Sequence, residues 1–517
     1  MRVLALGALA VALAACGSKS PGQSVCDNVV PPPAACMTMC DPKPGAANTC
    51  PGGYHCAPDG FCDAVCTQAG MECGDGYVCT ADGRCKGVDE CEGLECNVVD
   101  CTGQGKPETQ IKGTVFAPNG TLPLYGINVY VPNQPLPPFT EGASCGRCEE
   151  SFPGLPLARA TTDESGNFTL SGNVPAGTDI PLVITSGKWR RQIKIATVTA
   201  CGDTSVPATD TRLPKNRSEG DIPQIALSTG GADSLECLLR RIGIDDSEIG
   251  TGGGPQRIHL YDDKDSGGRG VSSFKAGFAG GTGNFTDSKT LWGDLNQLKK
   301  YDIVILSCEG GQHAETKTKM DMDRLKGYAD FGGRVFASHW HNVWIGGNFT
   351  NSDNHQNGDP KPDIWSQATA GVATWNNAND PGAGSIDVID ETNNPKGTSF
   401  ANWMKVVEPG NTRGEIPIKD GTAKTTCSAV QQGTERWTFL KGTTRPQNFQ
   451  FTTPFEAAAD QKCGKVVFSD MHVSGNAGTG SYPDSCGDPG TPATMSAQEK
   501  ALAFMLFDLA SCVGVLL

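Results

Sequence analysis

Hydrophobic positions in the second half of the chain fall in short unbroken runs. Asp302–Leu306 (DIVIL), Arg334–Ala337 (RVFA) and Lys465–Phe468 (KVVF) are three of them. Each ends abruptly in polar residues: Ser307-Cys308-Glu309, Ser338-His339-Trp340-His341 and Ser469-Asp470-Met471-His472. Short apolar runs bounded by turn formers predict strands buried on both faces. Lys319–Phe331 predicts the helix between the first two, closed by Gly332-Gly333. Tyr301–Trp344 therefore predicts strand, helix, strand. In an open α/β sheet the ligand site lies at the carboxyl ends of such strands.

Other segments follow the same logic. Leu235, Leu238, Leu239 and Ile242 share one helical face, with Asp233 and Ser234 as candidate caps. Arg257–Asp262 predicts a strand and Leu291–Lys300 a helix. Ser496–Cys512 predicts a final amphipathic helix, with Ser496 as N-cap and Glu499 completing a capping box. Upstream, Ile111–Phe116, Gly126–Val131, Phe168–Leu170 and Ile180–Thr185 predict short strands. By contrast, 347–462 is rich in Asn, Gly and Trp with few periodic segments, and reads as an insertion in the α/β core. Its Trp365, Trp375, Trp403 and Trp437 could stack on sugar rings, or bury as the insertion's own small core; the second is favoured.

Composition narrows the setting. A length of 517 residues suggests several domains, and a net charge of −15 argues against nucleic acid or an anionic membrane surface as partner. The 66 Gly and 34 Pro suit short strands and long loops. The 23 Cys exceed what a reducing cytosol accommodates without metal.

The N-terminus gives an address. Arg2 precedes an apolar stretch, Val3–Ala15, too short to span a bilayer of ~30 Å as a helix. It has the form of a signal-peptide h-region, placing the signal at 1–15. The junction Leu13-Ala14-Ala15-Cys16 resembles the bacterial lipobox, which implies lipidation of Cys16 and anchoring to a bacterial membrane. Gly17 at the next position favours the outer membrane or cell surface. Residues 16–49, with Pro31-Pro32-Pro33, read as a tether.

From Cys50 a repeat appears. Cys50-Pro-Gly-Gly-Tyr54-His-Cys56-Ala-Pro-Asp59-Gly60-Phe-Cys62 matches Cys73-Gly-Asp-Gly-Tyr77-Val-Cys79-Thr-Ala-Asp82-Gly83-Arg-Cys85 at a constant offset of 23. The Asp-Gly pairs are hairpin signals, and units this small need disulfides to hold them. Zinc is the rival reading of close Cys, disfavoured by the exported compartment and the wide spacing. Residues 50–101 resemble the short Cys-rich, EGF-like modules of bacterial surface proteins. The 13 Cys from Cys26 to Cys101 are an odd number, so at least one partner lies elsewhere.

Residues 108–228 carry strand GTV at 113–115, strand VYV at 129–131, the turn Thr162–Leu170 with Gly166 and Phe168, and Pro175-Ala-Gly177 before a further strand. This order resembles the carboxypeptidase regulatory-like domain, which implies an all-β, transthyretin-like sandwich used as spacer or weak adhesion module. Departures are the Pro-rich 132–139 and the pair Cys145-x-x-Cys148. In an exported chain that pair is expected to be a structural staple rather than a redox centre, with Cys201 and Cys237 as candidate partners.

Residues 233–517 bring LKKYDIVIL at 298–306, LKGYADFGGRVFASH at 325–339 and GKVVFSDMH at 464–472. They resemble the class I glutamine amidotransferase-like superfold, nearest its ThuA-like branch, which implies an open, mostly parallel α/β sheet. Catalytic amidotransferases carry a Cys on the tight turn after the second of these strands. His339 stands at that position, so glutaminase activity does not transfer.

Six of the seven His lie beyond residue 258. Glu309, His339, His341, Asp470 and His472 are the candidate ligand-binding residues. His339, His472 and Cys308 are the catalytic candidates. His339, His341 and His472 would suit a divalent metal such as zinc, provided the strand continues through His339 and His341 so that both face one side. Cys308 could be a nucleophile beside a His, but a disulfide, for instance with Cys427 or Cys463, is favoured. Cys463, Cys486 and Cys512 are expected to be structural. Asp262, Asp263 and Asp265 with Gly267-Gly268 lack EF-hand spacing and predict a solvated turn rather than a calcium loop.

The expectation is a lipid-anchored cell-surface protein that binds carbohydrate or another envelope component without catalysis. The alternative is an exported hydrolase using the His residues, with or without metal.

Overall fold

The structure is a computed structural model. It describes residues 24, 26 and 34–517, apart from 44–48, 52, 67–76, 81–82, 88–90, 149–151, 264–269, 347–364, 366–370, 377, 474–479, 488–491, 493 and 515–517. The signal segment, Cys16, the first part of the second Cys-rich copy, Asp265 and the start of the 347–462 stretch lie outside the described residues. No helix among the described residues is long and apolar enough to cross a membrane.

The chain forms two compact units: residues 1–92 with 134–137, and residues 93–133 with 138–517. In the first, the repeat becomes two hairpins. His55–Cys56 pairs with Cys62–Asp63, and Tyr77–Cys79 with Cys85–Gly87. Cys56 faces Cys62 as Cys79 faces Cys85, so the offset of the sequence repeat is also an offset of register. Bridges Cys26–Cys36, Cys40–Cys56, Cys50–Cys62 and Cys66–Cys79 hold this small unit.

The second unit begins with two small sheets. One is four-stranded, in the order Trp189–Val198, Gly177–Ser186, Asn128–Pro132, Pro156–Thr161; the other is three-stranded, in the order Asp203–Ser205, Gln110–Thr114, Asn167–Leu170. Ile111, Val129, Phe168, Leu170, Ile180 and Leu182 are among the residues of its core. The bridge Cys101–Cys201 closes this region.

A large mixed sheet of 11 strands follows. Ile258–Asp262, Ile225–Thr229, Ile303–Leu306, Arg334–Ser338 and Gly464–Ser469 run side by side and parallel. All are fully buried runs, and most of their residues are apolar, as burial on both faces requires. Ile225–Thr229 falls at the end of the stretch expected to be sandwich, yet it sits between two strands of the large sheet. The sheet then turns antiparallel, through Pro446–Thr453, Glu435–Leu440, Ile386–Ile389 and Glu415–Pro417. Much of the 347–462 stretch therefore extends the sheet rather than interrupting it. These strands are rich in Thr, Gln and Asn, which hid them. Trp365, Trp403 and Trp437 are fully buried, so they are core rather than sugar platforms.

The helices match their sequence signals closely. Lys319–Asp330 carries a capping box from Thr318 and Asp321, and Ala497–Ala510 carries the expected one from Ser496 and Glu499. The stretch expected as one helix at Leu291–Lys300 is two short ones, Lys289–Trp292 and Leu295–Leu298, broken at Gly293.

Cys145 and Cys148 are staples, but not to Cys201 and Cys237. Cys145 bonds Cys463 and Cys148 bonds Cys512, while Cys237 bonds Cys486. The first two join the β-rich region to the amino-terminal edge of the large sheet and to the end of the last helix. The sequence separations are 318 and 364 residues. In the chain-entropy account, closing either of these loops alone restricts the unfolded state by on the order of 5 kcal/mol, and the second bridge, sharing most of the first one's loop, adds less.

Candidate site at the strand ends

Parallel strands bring their carboxyl ends to one edge. Leu306, Ala337 and Phe468 are in register, and Cys308, His339 and His472 follow these three adjacent strands, His472 after a longer step than the other two. Gly230 follows the neighbouring Ile225–Thr229 strand. A Cβ there would run into the carbonyl oxygens of Ser307 and Cys308, so only glycine lets these two turns approach.

His339 is the first residue after its strand and has φ +43°. A left-handed conformation at a residue bearing a side chain costs about 1–3 kcal/mol and persists where the surroundings impose it. From there the chain turns at once into a 3-10 helix, His339–Asn342, and then the helix Val343–Gly346. Extended backbone therefore does not continue through His339 and His341, and the two side chains do not share a face.

The consequence is a corrected set of residues. Cys308 Sγ lies 3.4 Å from His339 Nδ1. The His339 and His472 ring centroids are 5.0 Å apart. One donor from each of Cys308, His339 and His472 lies within 4.8 Å of the others. His341 is elsewhere: its Nε2 donates to the Ser307 carbonyl at 2.8 Å, and its Nδ1 accepts from Trp344 Nε1 at 2.9 Å. Both nitrogens are engaged, so His341 is not among the donors brought together, whereas Cys308 is. The other close cysteine set, Cys40, Cys50 and Cys62, has its sulfurs in disulfides.

Cys308 is not a disulfide partner of Cys427 or Cys463. Cys308 and Cys427 are both free and buried, and Cys463 is bonded to Cys145. Burial first of all pushes the Cys308 thiol up to about 12, with Asp233 and Glu309 adding to the rise. Burial, helped by Lys424, pulls His472 down to about 3. Both ring nitrogens of His472 lack a hydrogen-bond partner, although the residue is only 1 % exposed.

The carboxylates have other partners. Asp470 accepts from Thr426 Oγ1 at 2.6 Å, Thr426 N at 2.8 Å and Cys427 N at 3.1 Å, so it fastens a loop. Burial nevertheless raises it to about 7. Glu309 Oε2 meets Lys317 Nζ at 2.7 Å, and burial, only partly offset by Lys317, raises it to about 7. Lys317 is itself wholly buried and also reaches Asp263 at 3.4 Å. Asp262 and Asp263 are thus buried rather than part of a solvated turn, because a cation has been folded in beneath them.

One organising residue gave only a weak signal. Asp233 and Ser234 are the cap candidates of the sequence, yet Ser234, at the N-cap, makes no side-chain cap bond. The fully buried Asp233 carboxylate instead accepts from Ser338 Oγ at 2.8 Å and from Val473 N at 2.9 Å. It pins the residue before His339 to the residue after His472. A polar residue just beyond a buried apolar run was its only mark in the sequence.

A groove of about 980 Å³ opens elsewhere on this unit, with Asn119, Lys215, Arg240, Asp245 and Lys500 in its lining. It shares no residue with the strand-end cluster. Lys500 pairs there with Glu408 at 2.7 Å, and Arg240 with Asp246 at 2.8 Å.

No known family model matches the chain, and no curated protein matches it. Some solved structures resemble parts of it. A chain of a type II cohesin–X-dockerin complex from Acetivibrio cellulolyticus is 18% identical over 28% of this chain and 76% of its own, with a TM-score of 0.13. A 9R-lipoxygenase from Cyanothece PCC8801 is 16% identical over 19% of this chain and 16% of its own, with a TM-score of 0.12. Scores this low carry no argument about fold or function. What is plain is the class: a disulfide-rich N-terminal region followed by β-rich and mixed α/β structure.

Proposed function

We propose that the chain is an exported, lipid-anchored cell-surface protein that binds an envelope component or carbohydrate and is not an enzyme. The observation that carries the non-catalytic part is burial. Cys308 is 0 % and His339 5 % exposed, so the one free thiol at the strand ends among the described residues is closed off from solvent. The position where amidotransferases hold their nucleophile is a histidine. The positive φ of His339 supports the amidotransferase-like reading of this turn, and the two small sheets support the carboxypeptidase regulatory-like reading of the region before it. The paired-cystine hairpins support the EGF-like reading. The groove of about 980 Å³ with its charged lining has the size of a small-ligand site and offers a place for a polar ligand away from the strand ends. Anchoring rests on the Leu13–Cys16 junction, and the many disulfides fit an oxidising, exported compartment.

The test combines fatty-acid labelling with turnover. The wild type should take up label and fractionate with membranes, and Cys16→Ser should do neither. The purified protein should turn over none of a panel of ester, amide and glycoside substrates. Unchanged membrane fractionation of Cys16→Ser would remove the anchor. Turnover lost in His339→Ala would replace the binding role with the hydrolase.

A further inference from the structure

We infer that Cys308, His339 and His472 bind a thiophilic metal ion, zinc or cuprous copper, through one thiolate and two imidazoles. The inference is independent of the surface-display reading, which needs no metal.

Three observations converge. First, the donors come from three neighbouring parallel strands and lie within 4.8 Å of one another. Two ligands on a tetrahedral ion with bonds of ~2.3 Å to sulfur and ~2.0 Å to nitrogen stand about 3.5 Å apart. Cys308 Sγ and His339 Nδ1 are already at 3.4 Å. Second, His472 is buried with both ring nitrogens unpartnered. Buried polar groups are otherwise almost always paired, and an exception marks strain, a catalytic role, an ordered water or an ion. Here the orphan imidazole lies against the other two donors. Third, His339 is held in a left-handed conformation, and Ser338 before it is tied to the buried Asp233. Strain that is actively held in place is characteristic of a working residue.

The second free thiol provides the contrast. Cys427 Sγ lies against the backbone carbonyls of Ala429 at 3.5 Å and Thr374 at 3.7 Å. It belongs to no group of metal-type donors among the described residues. Only Cys308 has imidazoles beside it.

Donor type and charge select the ion. One thiolate with two imidazoles suits zinc or copper and is too soft for magnesium or calcium. Binding replaces the thiol proton, which leaves to solvent, and both imidazoles coordinate as neutral bases. A divalent ion with one thiolate leaves a single positive charge, and the nearby Asp233 carboxylate balances it. A monovalent ion leaves none. Because all three side chains are buried, the ion sits inside the fold and ties three strand ends together.

The experiment uses the full chain, produced in an oxidising compartment and stripped of metal. It is loaded with Zn(II), with Cu(I) under anaerobic conditions, or with Co(II) as a spectroscopic probe. The expected result is one equivalent of Zn(II) or Cu(I), a thiolate-to-cobalt charge-transfer band, and a higher Tm for the loaded protein. Uptake of one ion and not the other identifies it. Cys308→Ser should abolish the cobalt band, and His472→Gln, close in volume, should weaken binding roughly 10-fold or more. Cys427→Ser should load like the wild type. No stoichiometric uptake of either ion together with no cobalt band in the wild type would overturn the site, as would full loading of a cooperatively folded Cys308→Ser.

Discussion

The two edges of the parallel strands are built from the same kinds of residue and are finished in opposite ways. At the amino-terminal edge, Asp302 accepts from Lys188 Nζ at 2.6 Å and Gln224 N at 2.7 Å. Arg334 donates to the Cys463 carbonyl at 2.5 Å and the Ser511 carbonyl at 3.3 Å. Lys465 reaches Asp508 Oδ2 at 3.0 Å, and Lys396 shares the same carboxylate. Two disulfides cross this edge. At the carboxyl-terminal edge the cysteine stays a thiol, the His472 ring nitrogens have no hydrogen-bond partner, Glu309 Oε1 comes only within 3.8 Å of His341 Nε2, and His339 holds a left-handed backbone. At the first edge the buried charges are matched by opposite charges and carbonyls; at the second, the thiol and the imidazole of His472 are not.

That contrast can be broken most forcefully at the amino-terminal edge. Cys148→Ser leaves the adjacent Cys145–Cys463 bridge closed, so the loop it opens runs through that bridge and is short; it should cost about 4 kcal/mol in denaturant unfolding under non-reducing conditions. A loss no greater than that of an exposed serine substitution would mean that the bridge does not organise this edge.

Next comes Lys317→Met at the other edge. It removes the buried cation between Glu309 and Asp263 and leaves two carboxylates without it, for an expected loss of about 3–5 kcal/mol at neutral pH. Lowering the pH toward 5 should recover part of the loss, because protonated Glu309 no longer needs the ammonium. A loss independent of pH would show that packing, not charge, is what Lys317 supplies.

Glu236 offers a smaller effect with a definite sign. It is fully buried behind the cluster, and burial together with Asp233 raises it to about 8 from its ordinary 4.5, against the pull of Arg241. Between those values the folded protein keeps a proton that the unfolded chain gives up. Stability is therefore fully present below about 4.5 and declines as pH rises toward about 8. Glu236→Gln cannot titrate, so relative to the wild type it should gain on the order of 2–4 kcal/mol between pH 5 and pH 8, read from urea unfolding at both pH values. A gain that runs the other way would place Glu236 in contact with a cation.

The gentlest change is His472→Leu. In the metal-free protein it replaces two unpaired buried nitrogens by apolar volume and should stabilise by about 1–2 kcal/mol. A comparable loss would show that His472 makes a bond of its own.

The elements written as unbroken apolar runs were legible in the sequence: Ile303–Leu306, Arg334–Ser338, Gly464–Ser469 and the two capped helices. A double-sided core admits no other pattern, and Ser496 with Glu499 leaves little choice of helix start. The strands at Pro446–Thr453 and Glu435–Leu440 were obscured because their buried Asn448, Gln447 and Thr438 pair with each other and with loop atoms across the sheet, which no local pattern reveals. The placement of His339 and His472 at strand ends was readable; the position of His341 was not, because the chain coils at His339 (φ +43°) and His341 meets Ser307 and Trp344. Disulfide partners over 300 residues apart likewise depend on tertiary geometry alone.

The central contrast, a reduced but sealed thiol at one edge and cross-linked sulfurs at the other, is tested most directly by timed thiol labelling in a Cys427→Ser background. The native, metal-free protein should resist a small alkylating reagent at Cys308 and accept it there after unfolding without reductant, as mapped by mass spectrometry of peptides. Rapid labelling of Cys308 in the native protein at neutral pH would contradict the burial and restore it as a nucleophile, whereas recovery of Cys308 in a disulfide would contradict the free thiol itself.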